Sequence, residues 1–238
     1  MAVNIVTFDV DGTLVRRHPD VSTLKVEAIN YAFYKVLNIN KFHYLNHLKP
    51  DMYGMTDRSI MRMLIRRVGV DGDLLDIKLE RLFAAMFAYF DSHPEHQAVT
   101  DYYILPGVID FLEALKKRNL KLGIATGNFR KFADWKLNGS GIGKYFTFGG
   151  YGDDAETRRA IIGAALKRAA YNDNFKACHF GDTPVDIEAA HDSGILAAAV
   201  SKQAGATYES QALLDAGADL IIDSWHDTGK ILKFFNSR

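Results

Sequence analysis

The chain has 238 residues, 48% of them hydrophobic, and its 29 basic side chains equal its 29 acidic ones. That apolar content supports one large domain or two modest ones and argues against disorder. The even charge leaves no global field for nucleic acid or an anionic membrane, so the expected partner is a small molecule held by local charge. One cysteine, Cys178, excludes an intrachain disulfide or a cysteine-based zinc cluster and fits a reducing compartment, by default the cytoplasm. No run approaches the roughly 18 apolar residues of a membrane span, and no basic-then-apolar leader is legible at the N-terminus.

In chain order, Val3 to Phe8 is an apolar run of strand length, followed at once by Asp9-Val10-Asp11-Gly12-Thr13-Leu14. The pattern then turns helical, with Val21, Leu24, Ala28, Tyr31, Ala32, Lys35 and Val36 on one face. Thr56 is a good N-cap for a helix through Ile60, Met61, Leu64, Ile65 and Val68. Asp73 offers to cap a further helix through Leu74, Ile77, Leu82, Phe83, Met86, Phe87 and Phe90. No strand pattern interrupts this stretch. Residues 16–100 therefore read as a helical insertion, bounded by the polar segments Arg16 to Asp20 and Asp91 to Asp101.

From Pro106-Gly107 onward helices and strands alternate. Strands are expected at Leu120 to Ala125, near Phe146 to Phe148, at Ala177 to Phe180 and at Ile195 to Val200, with a last helix, strand and helix ending at Phe235. Such alternation implies parallel pairing through right-handed crossovers: a Rossmann-like, doubly wound α/β core, residues 1–15 and 101–238, with the α-helical insertion between its parts. Ligands of such sheets sit beyond the carboxyl ends of strands. The places to search are thus the residues after Phe8, Ala125, Phe148 and Phe180.

After Phe8, Asp9 and Asp11 are two apart at a strand end, where both carboxylates can face one pocket. Facing carboxylates repel unless a cation sits between them, which suits one as nucleophile and metal ligand and the other as acid or base. Gly12 permits a tight exit and Thr13 offers a hydroxyl and an N–H to an anion, although Asp-Gly is also a common turn pair. After Ala125 come Thr126, Gly127 and Asn128, a hydroxyl, a flexible joint and an amide at a helix start that suit phosphate oxygens or a simple helix cap. After Phe180 comes Gly181-Asp182-Thr183-Pro184-Val185-Asp186, in which carboxylates four apart can converge on one hard cation. Asp182 could also serve as an N-cap before Pro184.

Asp-x-Asp-Gly-Thr after a first strand, an apolar strand ending in Thr126, and Gly-Asp-x-x-x-Asp followed by Ala189-Ala190 and Gly194 together resemble the haloacid dehalogenase superfamily, across the whole chain. The resemblance implies a third motif, a cation between Thr126 and Asp182. Lys144 stands too early, and the Asp153-Asp154-Ala155-Glu156-x-Arg158 context, similar to that of phosphoglycolate phosphatases, favours Arg158 over Arg159. An Arg keeps its charge and can fork onto two oxygens. The implied enzyme is a phosphatase acting on a small phosphorylated metabolite with Mg2+. Asp9 attacks phosphorus, Asp11 protonates the leaving oxygen and then activates water, and Thr126 and Arg158 hold the phosphate with Gly12, Thr13, Gly127 and Asn128. The metal is implied at Asp9, the Asp11 carbonyl and Asp182, with Asp186 in support.

The presence of Asp11 separates this pattern from dehalogenases, whose halide leaves unprotonated, and from phosphonoacetaldehyde hydrolases. The alternatives are a β-phosphoglucomutase-like phosphomutase, a nucleoside monophosphate phosphatase, or a non-catalytic binding protein on the same scaffold. The insertion resembles the family's α-helical cap, with Arg16, Tyr53, Thr56 and Arg58 as candidates for specificity. His43, His47, His93 and His96 are expected at the surface, Cys178 as a small buried side chain, and Phe83, Phe87 and Phe90 as the core of the cap.

Overall fold

In a computed structural model, residues 3–18, 23–97, 101–172 and 175–237 are described. Asp20, Val21 and residue 100, which the sequence pattern includes in or beside the insertion, lie outside them. The elements run β1 (Val3–Phe8), β2 (Val15–Arg17), α1 (Leu24–Leu37), α2 (Tyr44–His47), α3 (Asp57–Arg67), α4 (Leu74–Asp91), α5 (Pro94–Gln97) and β3 (Tyr102–Ile104). There follow α6 (Val108–Lys117), β4 (Lys121–Ala125), α7 (Arg130–Gly139), β5 (Phe148–Gly150), α8 (Arg158–Arg168), β6 (Lys176–Gly181) and α9 (Pro184–Asp192). The chain closes with β7 (Leu196–Val200), α10 (Ser210–Asp215), β8 (Leu220–Ile222) and α11 (Thr228–Asn236).

Six strands form one parallel sheet in the order β5-β4-β1-β6-β7-β8, the doubly wound α/β arrangement. Both faces are covered, as a parallel sheet requires. Phe8, Phe111, Phe180 and Trp225 pack on one face, and Ile5 with Ile161, Ile162 and Ile187 on the other. Register decides the rest: Phe8 pairs with Ile124 on one side and with Phe180 on the other. The residues leaving β1, β4 and β6 therefore emerge side by side at the carboxyl edge.

Between β1 and β4 the insertion carries α1 to α5, but it is not uninterrupted helix. Arg16 and Arg17 belong to β2, which pairs antiparallel with β3 at the stem of the insertion. A three-residue ribbon carries too little alternation to show against its polar flanks. Helices α1 and α4 pack on each other, and α4 also docks onto α7. Phe83 meets Phe129 at 4.9 Å, and Phe90 meets Phe132 at 5.2 Å and Trp135 at 5.7 Å, all edge-on. The Phe83, Phe87 and Phe90 stripe is thus the seam between insertion and core, because its apolar face has α7 as a partner as well as its own helices.

Several caps differ from expectation. Thr56 does cap α3, accepting from the Ser59 N–H, whereas Asp73 is itself in helical conformation and makes no side-chain cap. The cap of α9 is Thr183, not Asp182, in a reciprocal capping box with Asp186. Asn128 caps nothing: α7 begins two residues later, at Arg130, and Phe129 holds its N-cap position. Among the described residues no helix is long and apolar enough to cross a membrane.

Candidate active site

Asp9 leaves β1 and Asp182 leaves β6, and Asp186 lies one turn into α9, so the carboxyl edge brings three carboxylates together. Their oxygens lie within 4.8 Å of one another, and all three residues are buried. Arg158, in the first turn of α8, reaches into the cluster. Its guanidinium is 3.1 Å from Asp9 Oδ1 and 3.0 Å from Asp186 Oδ1, and it also donates to the carbonyls of Ala125 and Gly54. Arg159 is exposed, so of the two arginines Arg158 is the one brought to the carboxylates.

Asp186 is held from every side. Its Oδ2 accepts from the Thr183 hydroxyl at 2.7 Å and the Thr183 N–H at 3.2 Å, and His179 stands 3.5 Å from Oδ1 with its other nitrogen 3.0 Å from the Thr7 hydroxyl. Burial alone would raise the Asp186 pKa, but Arg158 and these donors outweigh burial and hold it low. Asp9 is pushed the other way: burial dominates over Arg158, and Asp186 adds repulsion. Asp182 is raised furthest, by burial and then by Asp186 and Asp9. It is 4% exposed, and no hydrogen bond or ion pair from the described residues reaches it.

Gly12 makes room for that arrangement. Its φ is +76°, and a Cβ there would overlap the Asp182 carboxylate. Asp11 turns away from the cluster. Asn128 Nδ2 donates to its Oδ2 at 2.7 Å, and Lys136 Nζ donates to both oxygens, at 2.8 and 2.6 Å. Burial raises its pKa, yet Lys136, Lys25 and these hydrogen bonds prevail and lower it. Sequence reasoning missed Lys136: it sits inside α7, where a lysine reads as a solvated face, and nothing in the local pattern says that this face turns inward.

Two residues of the insertion complete the network. Lys25 bonds Asp57 at 2.7 Å and Asn128 Oδ1 at 2.9 Å, while Asp57 Oδ2 accepts from the Phe129 N–H at 3.0 Å. Thr126 accepts from the Asn128 amide. A cavity of about 380 Å³ opens between insertion and core, lined by Asp9, Asp11, Asp182, Tyr53 and Tyr208 among others, and by Gly12, Thr126, Gly127, Asn128 and Arg158 of the expected set.

Thr13 is not on that wall; its hydroxyl is fully buried and has no partner among the described residues. The sharp turn at Gly12 points it inward. Thr56 is buried in its capping role, and Arg58 pairs with Glu80 over the Phe83 ring, outside the cavity. Arg16 and Tyr53 do line it, Arg16 while donating to the Gly205 carbonyl at 2.6 Å. Cys178 is buried inside β6 with its thiol pKa pushed up by burial.

The three carboxylates of the buried cluster, Asp9, Asp182 and Asp186, thus face one cation, Arg158. One divalent cation would cancel the difference, and the unpartnered Asp182 beside Asp9 is an all-oxygen donor set of the kind hard cations take. The residues present fit a metal.

The model of the haloacid dehalogenase-like hydrolases matches residues 3–194. The chain belongs to that family. Phosphoglycolate phosphatase 1 of Pseudomonas aeruginosa is 26% identical over 230 residues, 94% of this chain and 77% of the relative. Among solved structures, a protein described as a predicted phosphatase from Clostridium acetobutylicum superposes with TM-score 0.71 at 20% identity, covering 98% of this chain and 100% of the other. A protein described as a β-phosphoglucomutase from Thermotoga maritima gives TM-score 0.58 at 23% identity, over 97% and 99%. At those identities the structures show a shared fold. The family model is one of hydrolases.

Proposed function

We propose that the enzyme is a Mg2+-dependent phosphatase for a small phosphate monoester of the phosphoglycolate or sugar phosphate type, working through a phosphorylated Asp9. The observation that carries this is the placement of Arg158 on Asp9 beside Asp182, at the mouth of one cavity. The name of the Pseudomonas relative supports the substrate class. Residues 16–100 act as the cap over the core of residues 1–15 and 101–238.

Asp9 is the nucleophile, its carboxylate steadied by Arg158 for in-line attack on phosphorus. Arg158, Thr126 and the N–H groups after β1 and β4 stabilise charge that develops on the phosphoryl oxygens. Asp11 gives a proton to the leaving oxygen and then takes one from the water that releases Asp9. Asp9, Asp182 and the Asp11 carbonyl would hold Mg2+, with Asp186 fixing Arg158 behind them, and the bound ion supplies positive charge to the phosphate. Docking of α4 on α7 holds the insertion against the core.

The test is phosphate release from a panel of small phosphate monoesters, with Mg2+ and with chelator, comparing the wild type with Asp9→Asn. Release that needs both Mg2+ and Asp9 is expected. Conversion of β-glucose 1-phosphate to the 6-phosphate without phosphate release would establish a phosphomutase instead, and silence in both assays a binding protein.

A further inference from the structure

Lys136 is a buried cation that the packing of α7 alone does not call for. It lies in α7 between Trp135 and Leu137 and is 1% exposed. At such a helix position a leucine or methionine would pack equally well, and a buried ammonium is tolerated only where its partners are excellent. Its hydrogen bonds all lead to one place: Asp11 Oδ1 and Oδ2 at 2.8 and 2.6 Å, and Asn128 Oδ1 at 2.9 Å, with the Tyr102 ring centroid 4.5 Å away.

Asn128 is oriented by the same lysine. Its Oδ1 accepts from Lys136 and from Lys25, which leaves Nδ2 to donate to Asp11 and to Thr126. The amide cannot be turned round without setting its NH2 against two ammonium groups. The Asp11 carboxylate is therefore gripped by two donors on its protein side, while its side chain stays 43% exposed toward the cavity. A carboxylate held in this way can take a proton along one direction only.

We propose that Lys136 is a positioning residue for the hydrolytic half of the reaction: it holds Asp11 in the orientation from which the carboxylate takes a proton from the attacking water. This rests on the phosphatase roles proposed for Asp9 and Asp11. In that half the water oxygen forms a bond to phosphorus as the bond from phosphorus to the Asp9 oxygen breaks. The water proton passes to Asp11, orthophosphate leaves and the Asp9 carboxylate is restored. Asp11 then carries the proton to the leaving oxygen of the next ester, so protons balance over the cycle.

The experiment is stopped-flow hydrolysis of p-nitrophenyl phosphate in Mg2+, because nitrophenolate leaves without a proton and its release reports phosphorylation of Asp9 alone. Wild type, Lys136→Met, Lys136→Gln, Lys136→Ala and Asp9→Asn are compared. Misplacing the base, which leaves part of the roughly 10²–10⁴-fold contribution of acid–base catalysis in place, is expected to slow the steady state of Lys136→Met roughly 10- to 100-fold. The first turnover should stay within a few-fold of wild type, giving a burst of about one equivalent per enzyme. Ethylammonium, but not tetramethylammonium, should restore part of the steady state to Lys136→Ala.

A purely structural lysine would lower both phases together, and that result overturns the proposal, as does an unchanged steady state. Failure of both Lys136→Met and Lys136→Gln to fold, judged by circular dichroism, also overturns it by making Lys136 a folding residue. A wild type without nitrophenolate release, or release surviving in Asp9→Asn, would instead bring down the phosphatase roles and this proposal with them.

Discussion

Replacing Arg158 with Met leaves Asp9, Asp182 and Asp186 buried together without the guanidinium that now lies 3.1 Å from one and 3.0 Å from another. At an effective dielectric of about 20, each contact at that range is worth about 5 kcal/mol of Coulomb energy. Desolvation of the guanidinium offsets much of it, and breaking a buried pair nets about 3–5 kcal/mol. With two carboxylates served by one Arg, the upper end applies.

For a chain of this length, about 2–4 °C is lost per kcal/mol, so the melting temperature in chelator near neutral pH should fall by roughly 10–20 °C. The deficit should shrink on acidification. Without Arg158 the Asp9 and Asp186 carboxyls have folded-state pKa values above the unfolded one, so the native state binds more protons than the unfolded chain, and stability rises as pH drops toward that unfolded value of about 4. In an Asp9→Asn background the same substitution should be milder, because one of the two orphaned charges is gone. Urea titration with and without acidification measures all three. A loss below about 1 kcal/mol, or a deficit that grows as pH falls, would refute the ion-pair account.

Asp182→Asn should stabilise the metal-free protein at neutral pH by roughly 1–3 kcal/mol, the scale of a desolvated, unpaired polar group. The raised folded-state pKa of Asp182 makes its charge a cost above that value that disappears as pH falls through it, so the gain should vanish in acid. The same variant should lose the stabilisation by Mg2+ expected of the wild type, about 2.7 kcal/mol at a hundred times the dissociation constant. Gly12→Ala, strained at positive φ and overlapping Asp182, should cost about 1–3 kcal/mol and abolish the Mg2+ shift in the same thermal assay. Asp57→Ala leaves Lys25 and the Phe129 N–H without their partner; a loss of about 3–5 kcal/mol is expected in urea, with faster hydrogen exchange at Phe129 and a raised KM.

What the chain declares by itself is whatever depends on near neighbours. Asp9 and Asp11 stand out because a strand pattern runs straight into them, and Asp182 and Asp186 because a strand and a Pro-started helix frame them. The alternation from Pro106 onward determines the parallel α/β core, since a strand followed by a helix can return only to a parallel neighbour. The order of these motifs is enough to point to the haloacid dehalogenase-like hydrolases and to favour Arg158 over Arg159 as the candidate cation.

What only the tertiary structure decides is which way each side chain faces once distant elements meet. Lys136, Lys25 and Asp57 come from three helices and converge on Asn128 and Asp11, and no spacing along the chain encodes that meeting. Thr13 turns inward and Asp186 spends both oxygens on Thr183 and Arg158 for the same reason. Local pattern specifies where a strand ends. The register that sets Phe8 beside Ile124 and Phe180 is an outcome of packing the whole sheet, and from it follow the distances at which charges attract, repel and exchange protons.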